Sequence, residues 1–169
     1  SHELVERFTN MNATMSSYNE RNKIRYFTAA TRTDVFCASS FRVGGFDVTY
    51  DNMTGLPSMT SFFELAEVKR KELQEHGIDS AILFFDLMNL KNINHRYGFA
   101  EGNRLICSVA TILAAQFGAE NCAYFAQDHF AAIAPDDGLR ERLEAVMAQC
   151  ATANEGKTLP IRIGVYPNR

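Results

Sequence analysis

The hydrophobic pattern of the chain is clearest in residues 80–103. Residues 81–85 are all apolar, with no polar residue between them, and Asp86 follows directly. An unbroken apolar run of this length is typical of a strand covered on both faces of its sheet. The pattern therefore predicts a central buried strand with Asp86 at its carboxyl end.

A carboxylate at the end of a buried strand is well placed to bind a cation. Ligands of α/β proteins commonly bind in the crevice outside such strand ends, and carboxylate oxygens are the preferred ligands of hard cations. Asp86 could instead only cap the short helix that follows the strand. The local pattern leaves both interpretations open.

Apart from the short helix that follows Asp86, apolar residues at helical spacing predict three helices. The first covers residues 58–75, the second covers residues 103–117, and the third begins after Asp137, which we expect to be its N-cap. Ser61 and Glu64 have the spacing of a capping box for the first helix.

Short apolar runs predict the remaining strands, at residues 122–126, 130–134 and 161–165. Residues 127–129 connect the first two runs, so these runs predict a β-hairpin with Asp128 at the edge of the sheet. The order helix, strand, helix, hairpin, helix, strand favours an α/β (α+β) fold. We expect a central mixed, largely antiparallel sheet flanked by helices.

Residues 1–50 differ in pattern from the rest of the chain. Apolar residues between Leu4 and Tyr18 recur at four-three spacing, which predicts a helix that either packs on the same chain or forms a short coiled coil. Alternation on both sides of Gly44 and Gly45 predicts a β-hairpin. We expect residues 1–50 to be a linker or the tail of an upstream sensory domain, and residues 51–169 to be the main domain.

Composition narrows the class of partner. The chain has 169 residues, a net charge of -3 and a sequence pI of about 5.8, which argue against a dedicated nucleic-acid binder. No apolar run is long enough to span a membrane. The four cysteines lie far apart, so we expect reduced, buried thiols and a cytoplasmic location.

Several short motifs in residues 51–166 together resemble the GGDEF family, the diguanylate cyclase domains. They are Asp51-x-Met-Thr54-Gly55-Leu56-Pro57, Phe85-Asp86-Leu87, Leu90-Lys91, Ile93-Asn94, Tyr97-Gly98, Gly102 and Ile163-Gly164-Val165. Their order and spacing, more than any single motif, make the resemblance specific. It implies a fold like the palm of nucleotidyl cyclases, and a reaction that joins two GTP molecules into cyclic di-GMP with Mg²⁺.

The resemblance also implies roles for individual residues. Asp86 and Asp128 would bind the metal, with the backbone carbonyl of Leu87 as a third oxygen ligand. Asn94 would contact guanine. Asn103 stands where the family has an aspartate, and a neutral amide offers guanine only one acceptor oxygen.

Basic residues for the phosphates belong to the family's last helix, and we expect the chain to lack that helix. Lys91 or Arg104 could compensate for them, with a role as solvated surface charge as the alternative for both. The family's product-binding R-x-x-D motif corresponds here to residues 117–120, Phe-Gly-Ala-Glu. The resemblance therefore does not extend to product feedback through that motif.

The GGDEF signature itself corresponds to Ala126-Gln127-Asp128-His129-Phe130. Gln127 brings a long side chain to a place where the family's glycine lets a nucleotide lie against the backbone. His129 cannot supply the negative charge of the second acid. We therefore expect a degenerate domain without catalytic residues, with weak or absent Mg²⁺ binding and GTP as its candidate ligand.

Such a domain would be a regulatory or nucleotide-binding module of a cyclic di-GMP signalling protein. An active diguanylate cyclase with an unusual signature is the alternative. The expected partners are other domains of the same protein, with the chain itself a monomer or a weak homodimer. We expect no nucleic-acid polymer and no membrane as partners of this segment.

Overall fold

A computed structural model describes residues 24–26, 48–154 and 161–168 of the chain. The strands and helices of these residues, in chain order, are β1 (Ile24–Tyr26), α1 (Met59–Glu75), β2 (Ser80–Leu87), α2 (Leu90–Tyr97), α3 (Phe99–Phe117), β3 (Cys122–Ala126), β4 (His129–Pro135), α4 (Leu139–Thr152) and β5 (Ile161–Asn168). A short 3-10 helix, Ala119–Asn121, connects α3 to β3.

The described strands form one sheet in the order β1-β5-β2-β4-β3. β2 pairs antiparallel with both β4 and β5, and β3 pairs antiparallel with β4. Only β1 runs parallel to its neighbour, β5, among these strands. The predicted α+β fold with a mixed, largely antiparallel sheet is confirmed, and β2 is the central strand that the apolar run predicted.

Helices cover both faces of the sheet, so every residue of β2 is buried. Leu83, Phe85 and Leu87 point to the face that packs against α3 and α4. Ile82 and Phe84 point to the opposite face, where they pack with apolar residues of α1. Because side chains alternate along a strand, Asp86 continues the line of Ile82 and Phe84 on the α1 side.

Two predicted helix caps are wrong. The N-cap of α1 is Ser58, whose hydroxyl accepts from the backbone of Ser61, so the helix begins before the predicted capping box. The Ser61 hydroxyl instead accepts the backbone N–H of Thr49 at 2.7 Å. The N-cap of α4 is Gly138, which has a φ of 65° and makes no side-chain cap bond, and not Asp137.

Other boundaries shift without changing the order of elements. α3 begins at Phe99 rather than at residue 103. The predicted N-terminal helix and most of the predicted hairpin around Gly44 and Gly45 lie outside the described residues. The boundary at residue 50 therefore stays a prediction, while Tyr50 itself forms an isolated β-bridge with Pro57.

The thiol prediction holds for two of the cysteines that the structure describes. Cys122 and Cys150 are free and buried, and burial raises the pKa of Cys122 to about 12 and that of Cys150 to about 11. Cys107 is also free but only half-buried. Among the described residues, no helix has the length and apolar character needed to cross a membrane.

Candidate functional site

Three charged or titratable side chains form a row across adjacent strands. The strand register sets Asp86 of β2 opposite His129 of β4 and opposite Arg162 of β5. Side chains at directly opposed positions of paired strands lie on the same face of the sheet. The apolar line of Ile82 and Phe84 therefore ends in a polar row of three residues.

Asp86 is the most buried member of this row, with only 2% of its surface exposed. One carboxylate oxygen, Oδ2, accepts a short charge-assisted hydrogen bond from the guanidinium of Arg162. The other oxygen, Oδ1, is buried and has no hydrogen-bond partner among the described residues. It lies 3.9 Å from Nε2 of His129. A buried carboxylate needs a compensating charge, and Arg162 supplies it.

Asp128, in the β3–β4 turn, lies next to this row. Its carboxylate Oδ1 is 3.0 Å from Nε2 of His129. The backbone N–H of Leu87 donates to the carbonyl of Asp128 at 2.8 Å, which joins the turn to the end of β2. Asp86, Asp128 and His129 each offer one atom that could ligate a metal, and these three atoms lie within 4.8 Å of one another.

The pKa of Asp128 is raised above its ordinary value, chiefly because burial disfavours the charged carboxylate. The nearby imidazole of His129 opposes this shift. The negative charge of Asp86 raises the pKa further. The charge of Asp86 therefore influences the protonation of Asp128.

The turn of the hairpin has an unfavourable backbone conformation. Gln127 is exposed and has a φ of 54°, in the left-handed region that favours glycine. The Tyr124 hydroxyl donates to the carbonyl of Gln127 at 2.8 Å. Burial, and then the negative charges of Asp51 and Asp128, raise the pKa of Tyr124 to about 12.

The residues predicted to contact the nucleotide lie on the helix pair α2 and α3. Asn94 packs against Gly102, where an added Cβ would lie only 1.7 Å from Oδ1 of Asn94. That oxygen is buried and has no hydrogen-bond partner among the residues described. Lys91 and Asn103 are both exposed. Only glycine at residue 102 allows α3 to approach Asn94 so closely.

Comparison with known proteins identifies the family. The family model described as "Diguanylate cyclase, GGDEF domain" matches residues 48–167. The chain belongs to the GGDEF family.

The loop motif Asp51-x-Met-Thr54-Gly55 now has a structural reason, because the Asp51 carboxylate accepts from both the backbone and the hydroxyl of Thr54, at 2.7 and 2.8 Å.

The chain is also similar in sequence to part of a larger protein. The cyclic di-GMP phosphodiesterase NbdA of Pseudomonas aeruginosa is 30% identical over 135 residues, which cover 70% of this chain and 16% of NbdA. The chain thus spans about a sixth of the length of that relative.

Two solved structures are similar in fold. A sensory box/GGDEF family protein from Caulobacter crescentus CB15 has a TM-score of 0.63 at 19% identity, over 70% of this chain and 83% of that one. The diguanylate cyclase SiaD of P. aeruginosa, solved in complex with its activator SiaC, has a TM-score of 0.60 at 21% identity, over 71% of this chain and 50% of that one.

The structure brings part of the predicted site together, while the metal-binding role of these residues stays a prediction. Asp86, Leu87, Asp128 and His129 do come together at the hairpin and the end of β2. The alternative role of Asp86 as a helix cap is wrong, because the N-cap of α2 is Asn89. Asn94, Asn103 and Lys91 lie on a separate helix pair, and their roles stay predictions.

Sequence reasoning missed Arg162. It lies between the buried residues Ile161 and Ile163, where alternation along a strand indicates only that it faces the other side. The available signal was a charged residue in a mostly buried strand, which needs a partner of opposite charge. Finding that partner required the register between β2 and β5.

The side chains of this cluster do not match the requirements of Mg²⁺. That ion prefers near-octahedral coordination by oxygen atoms. Here one oxygen of Asp86 is engaged by Arg162, and an imidazole nitrogen lies within 3.0 Å of Asp128. The donor set therefore mixes carboxylate oxygen with nitrogen and already contains a permanent positive charge.

Proposed function

We propose that this chain is a degenerate GGDEF domain. It serves as a regulatory or nucleotide-binding module of a cyclic di-GMP signalling protein and does not synthesise cyclic di-GMP. The observation that supports this proposal most directly is the ion pair between Asp86 and Arg162. In the family, the residue corresponding to Asp86 is expected to bind the metal, whereas here a guanidinium is already its partner.

The charge of the site supports the same conclusion. Together, Asp86, Asp128 and Arg162 have a net charge of about -1, half of what the two carboxylates alone would provide. The guanidinium of Arg162, bonded to Asp86, also repels a divalent cation that approaches the same carboxylate. Mg²⁺ binding by Asp86, Asp128 and the carbonyl of Leu87 is therefore weak or absent in this proposal.

The hairpin supports a loss of catalysis independently of the metal. Gln127 has the glycine-favouring conformation but adds a side chain that a nucleotide lying on the hairpin would have to displace. His129 provides no second acid. A single reversion such as His129→Glu therefore leaves the obstruction at Gln127 and the guanidinium of Arg162 in place.

Nucleotide binding without turnover is the proposed remaining activity. Asn94 and Asn103 would contact the base of GTP, and Lys91 would contact its phosphates. A role inside a larger protein is supported by NbdA, of which the matched part is only 16%. SiaD, solved with its activator SiaC, is an example of a GGDEF protein with a protein partner. We propose a cytoplasmic location, where buried thiols remain reduced.

The first test is an assay for turnover. The purified chain is incubated with GTP and Mg²⁺, and the products are separated by liquid chromatography with mass detection, with SiaD as the positive control. We expect no cyclic di-GMP from the chain and none from His129→Glu. Ordinary turnover by the unmodified chain would instead support the active cyclase.

The second test is a calorimetric titration with GTP in the presence of Mg²⁺. We expect weak, Mg²⁺-dependent binding that is lost in Asp86→Asn and in Asp128→Asn, because each variant removes one of the two carboxylates that would hold Mg²⁺ beside the triphosphate. The matched control is Asp137→Asn, at an exposed acid that belongs to neither the hairpin nor β2. Equal GTP binding by all four proteins would contradict the site assignment.

A further inference from the structure

The proposed contacts of the nucleotide base are two side-chain amides that lie on neighbouring helices. Asn94 of α2 packs against α3 at Gly102, which is the residue just before Asn103. The two amides are therefore anchored at adjacent positions of the helix pair. Because each amide carries its own pattern of donors and acceptors, the pair determines which base edge fits.

The helix pair supplies no carboxylate that is available to a base. Residues 90–97 contain no acid, and residues 99–117 contain only Glu101. The two carboxylate oxygens of Glu101 accept from the guanidinium of Arg104, at 3.1 and 2.6 Å. Recognition of a base between α2 and α3 therefore depends on amides and not on an acid.

Asn94 presents a donor to a ligand. Its Oδ1 is buried and has no hydrogen-bond partner among the described residues, whereas the residue as a whole is only half-buried. The Nδ2 amino group is therefore the part of this amide that a ligand can reach, and it can only donate. The matching group on a base is a carbonyl oxygen, such as O6 of an oxopurine or O4 of uracil, and not the 6-amino group of adenine.

Asn103 is exposed and offers a ligand one acceptor oxygen and one amino donor. Guanine presents two neighbouring donors, N1–H and the 2-amino group, so one of them faces the amino donor of Asn103. In xanthine and in uracil a carbonyl oxygen follows the N–H, and both groups of the amide are then paired. Two donors that face each other cost affinity, because both lose water without gaining a partner.

Phe99 provides an apolar surface close to Asn103. The two residues are one helical turn apart on α3, so they share a face of the helix. The ring is unusually accessible, with 74% of the residue exposed. Bases stack on exposed aromatic rings irrespective of the groups at their edges. Stacking on Phe99 would therefore retain any base, while Asn103 distinguishes between them.

We propose that Asn94 and Asn103 select a base in which an N–H lies between two carbonyl oxygens, as in xanthine and uracil, over guanine. Nucleotides of xanthine and of uracil share this edge and differ in the area that stacks on Phe99. This inference rests on the proposed function, because it takes Asn94 and Asn103 as the contacts of the base. It makes GTP the weaker ligand of the module.

The test is a calorimetric titration of the full chain with xanthosine, uridine, inosine and guanosine triphosphates at one Mg²⁺ concentration. The phosphates and the metal are the same in each titration, so differences in affinity report the base. We expect the xanthosine or the uridine nucleotide to bind at least about tenfold more tightly than GTP. Inosine triphosphate, which lacks the 2-amino group, should bind at least as tightly as GTP. Either order of the xanthosine and uridine nucleotides supports the inference, and the order distinguishes a purine subsite from a pyrimidine subsite.

Asn103→Asp tests the role of the amide directly. A carboxylate accepts from both donors of guanine, so the ratio of xanthosine triphosphate to GTP affinity should fall at least about tenfold. The matched control is Asn168→Asp, because Asn168 pairs with Ser80 at the end of β2 away from Asp86. It should change the ratio less than about twofold. Phe99→Ala should weaken all four nucleotides and leave their order unchanged, and circular dichroism checks that each variant is folded.

Two results would overturn the inference and leave the proposed function in place. One is tighter binding of GTP than of both dioxo nucleotides by the folded parent chain, and the other is an unchanged affinity ratio in Asn103→Asp. Binding of none of the four nucleotides would overturn the inference together with the proposed nucleotide binding. Cyclic di-GMP formation in the turnover assay would overturn the proposed loss of catalysis alone.

Discussion

Asp86 illustrates at the scale of single residues how a buried charge is retained in this domain. The carboxylate is almost fully buried at the end of an apolar line on the α1 side of the sheet, where an unpaired charge would be very unfavourable. Arg162 provides the opposite charge from the neighbouring strand. Breaking a buried pair usually costs more than the pair contributes, because the remaining charge stays in the apolar surroundings.

We expect Arg162→Ala to lower the free energy of unfolding by about 3 kcal/mol, measured by urea denaturation. The control is Arg104→Ala, whose exposed ion pair with Glu101 should contribute less than about 1 kcal/mol. Adding Asp86→Asn to Arg162→Ala should recover part of the loss. Similar losses in the Arg162 and Arg104 variants would contradict the ion pair as the stabilising contact.

Asp128 gives a prediction for the effect of pH. Folding raises its pKa above the ordinary value of 3.8, so the native state holds this proton more tightly than the unfolded state. The group therefore lowers stability progressively as the pH rises from below 3.8 through the folded pKa. Asp128→Asn removes this loss. The free energy of unfolding of the variant minus that of the parent should therefore be larger at pH about 7 than at pH about 3.

The measurement is chemical denaturation of both proteins across this pH range. Asp137→Asn is the matched control, because Asp137 is exposed and lies outside the cluster. Its stability relative to the parent should change little with pH. A pH-independent difference for Asp128→Asn would show that the raised pKa does not affect folding.

The β3–β4 hairpin is the element on which the site depends. Its turn brings Asp128 toward β2, and its first strand contains the Tyr124 hydroxyl that binds the carbonyl of Gln127. The left-handed conformation of Gln127 is a local cost that the rest of the hairpin offsets.

Gln127→Gly should therefore stabilise the domain by up to about 1 kcal/mol, since glycine adopts this conformation without steric penalty. The control is the same substitution at Gln149, an exposed position in α4, where glycine should destabilise by up to about 1 kcal/mol. Thermal or urea unfolding of both variants gives the comparison. Destabilisation by Gln127→Gly would contradict a strained turn.

At the scale of the whole molecule, the prediction concerns self-association. The family's reaction needs two GTP-loaded domains face to face, so a domain without the reaction has no need of that dimer. We expect a monomer, or a weak dimer that forms through residues 1–30. Sedimentation of the full chain and of a variant that lacks these residues would distinguish the two, and a tight dimer of the shortened chain would contradict the prediction.

The sequence by itself determined most of the described elements, although not β1, and the buried faces of the longer ones. The apolar run before Asp86 predicted the central strand, and helical spacing predicted the buried faces of α1, α3 and α4. These features depend on periodicity within one element, which is local information. The two short apolar runs likewise predicted a hairpin with Asp128 at its turn, and the resemblance to the GGDEF family predicted that Asp128 lies next to Asp86.

Only the tertiary structure decided which side chains oppose one another. Arg162 and Asp86 are 76 residues apart, and they meet because of the register between β2 and β5. Asn94 meets Gly102 because α2 and α3 pack closely, and Ser61 is bonded to Thr49 instead of capping a helix. Local periodicity assigns a residue to a face, but its partner on another element depends on how the elements pair. The charge balance of the site is therefore a property of the folded sheet.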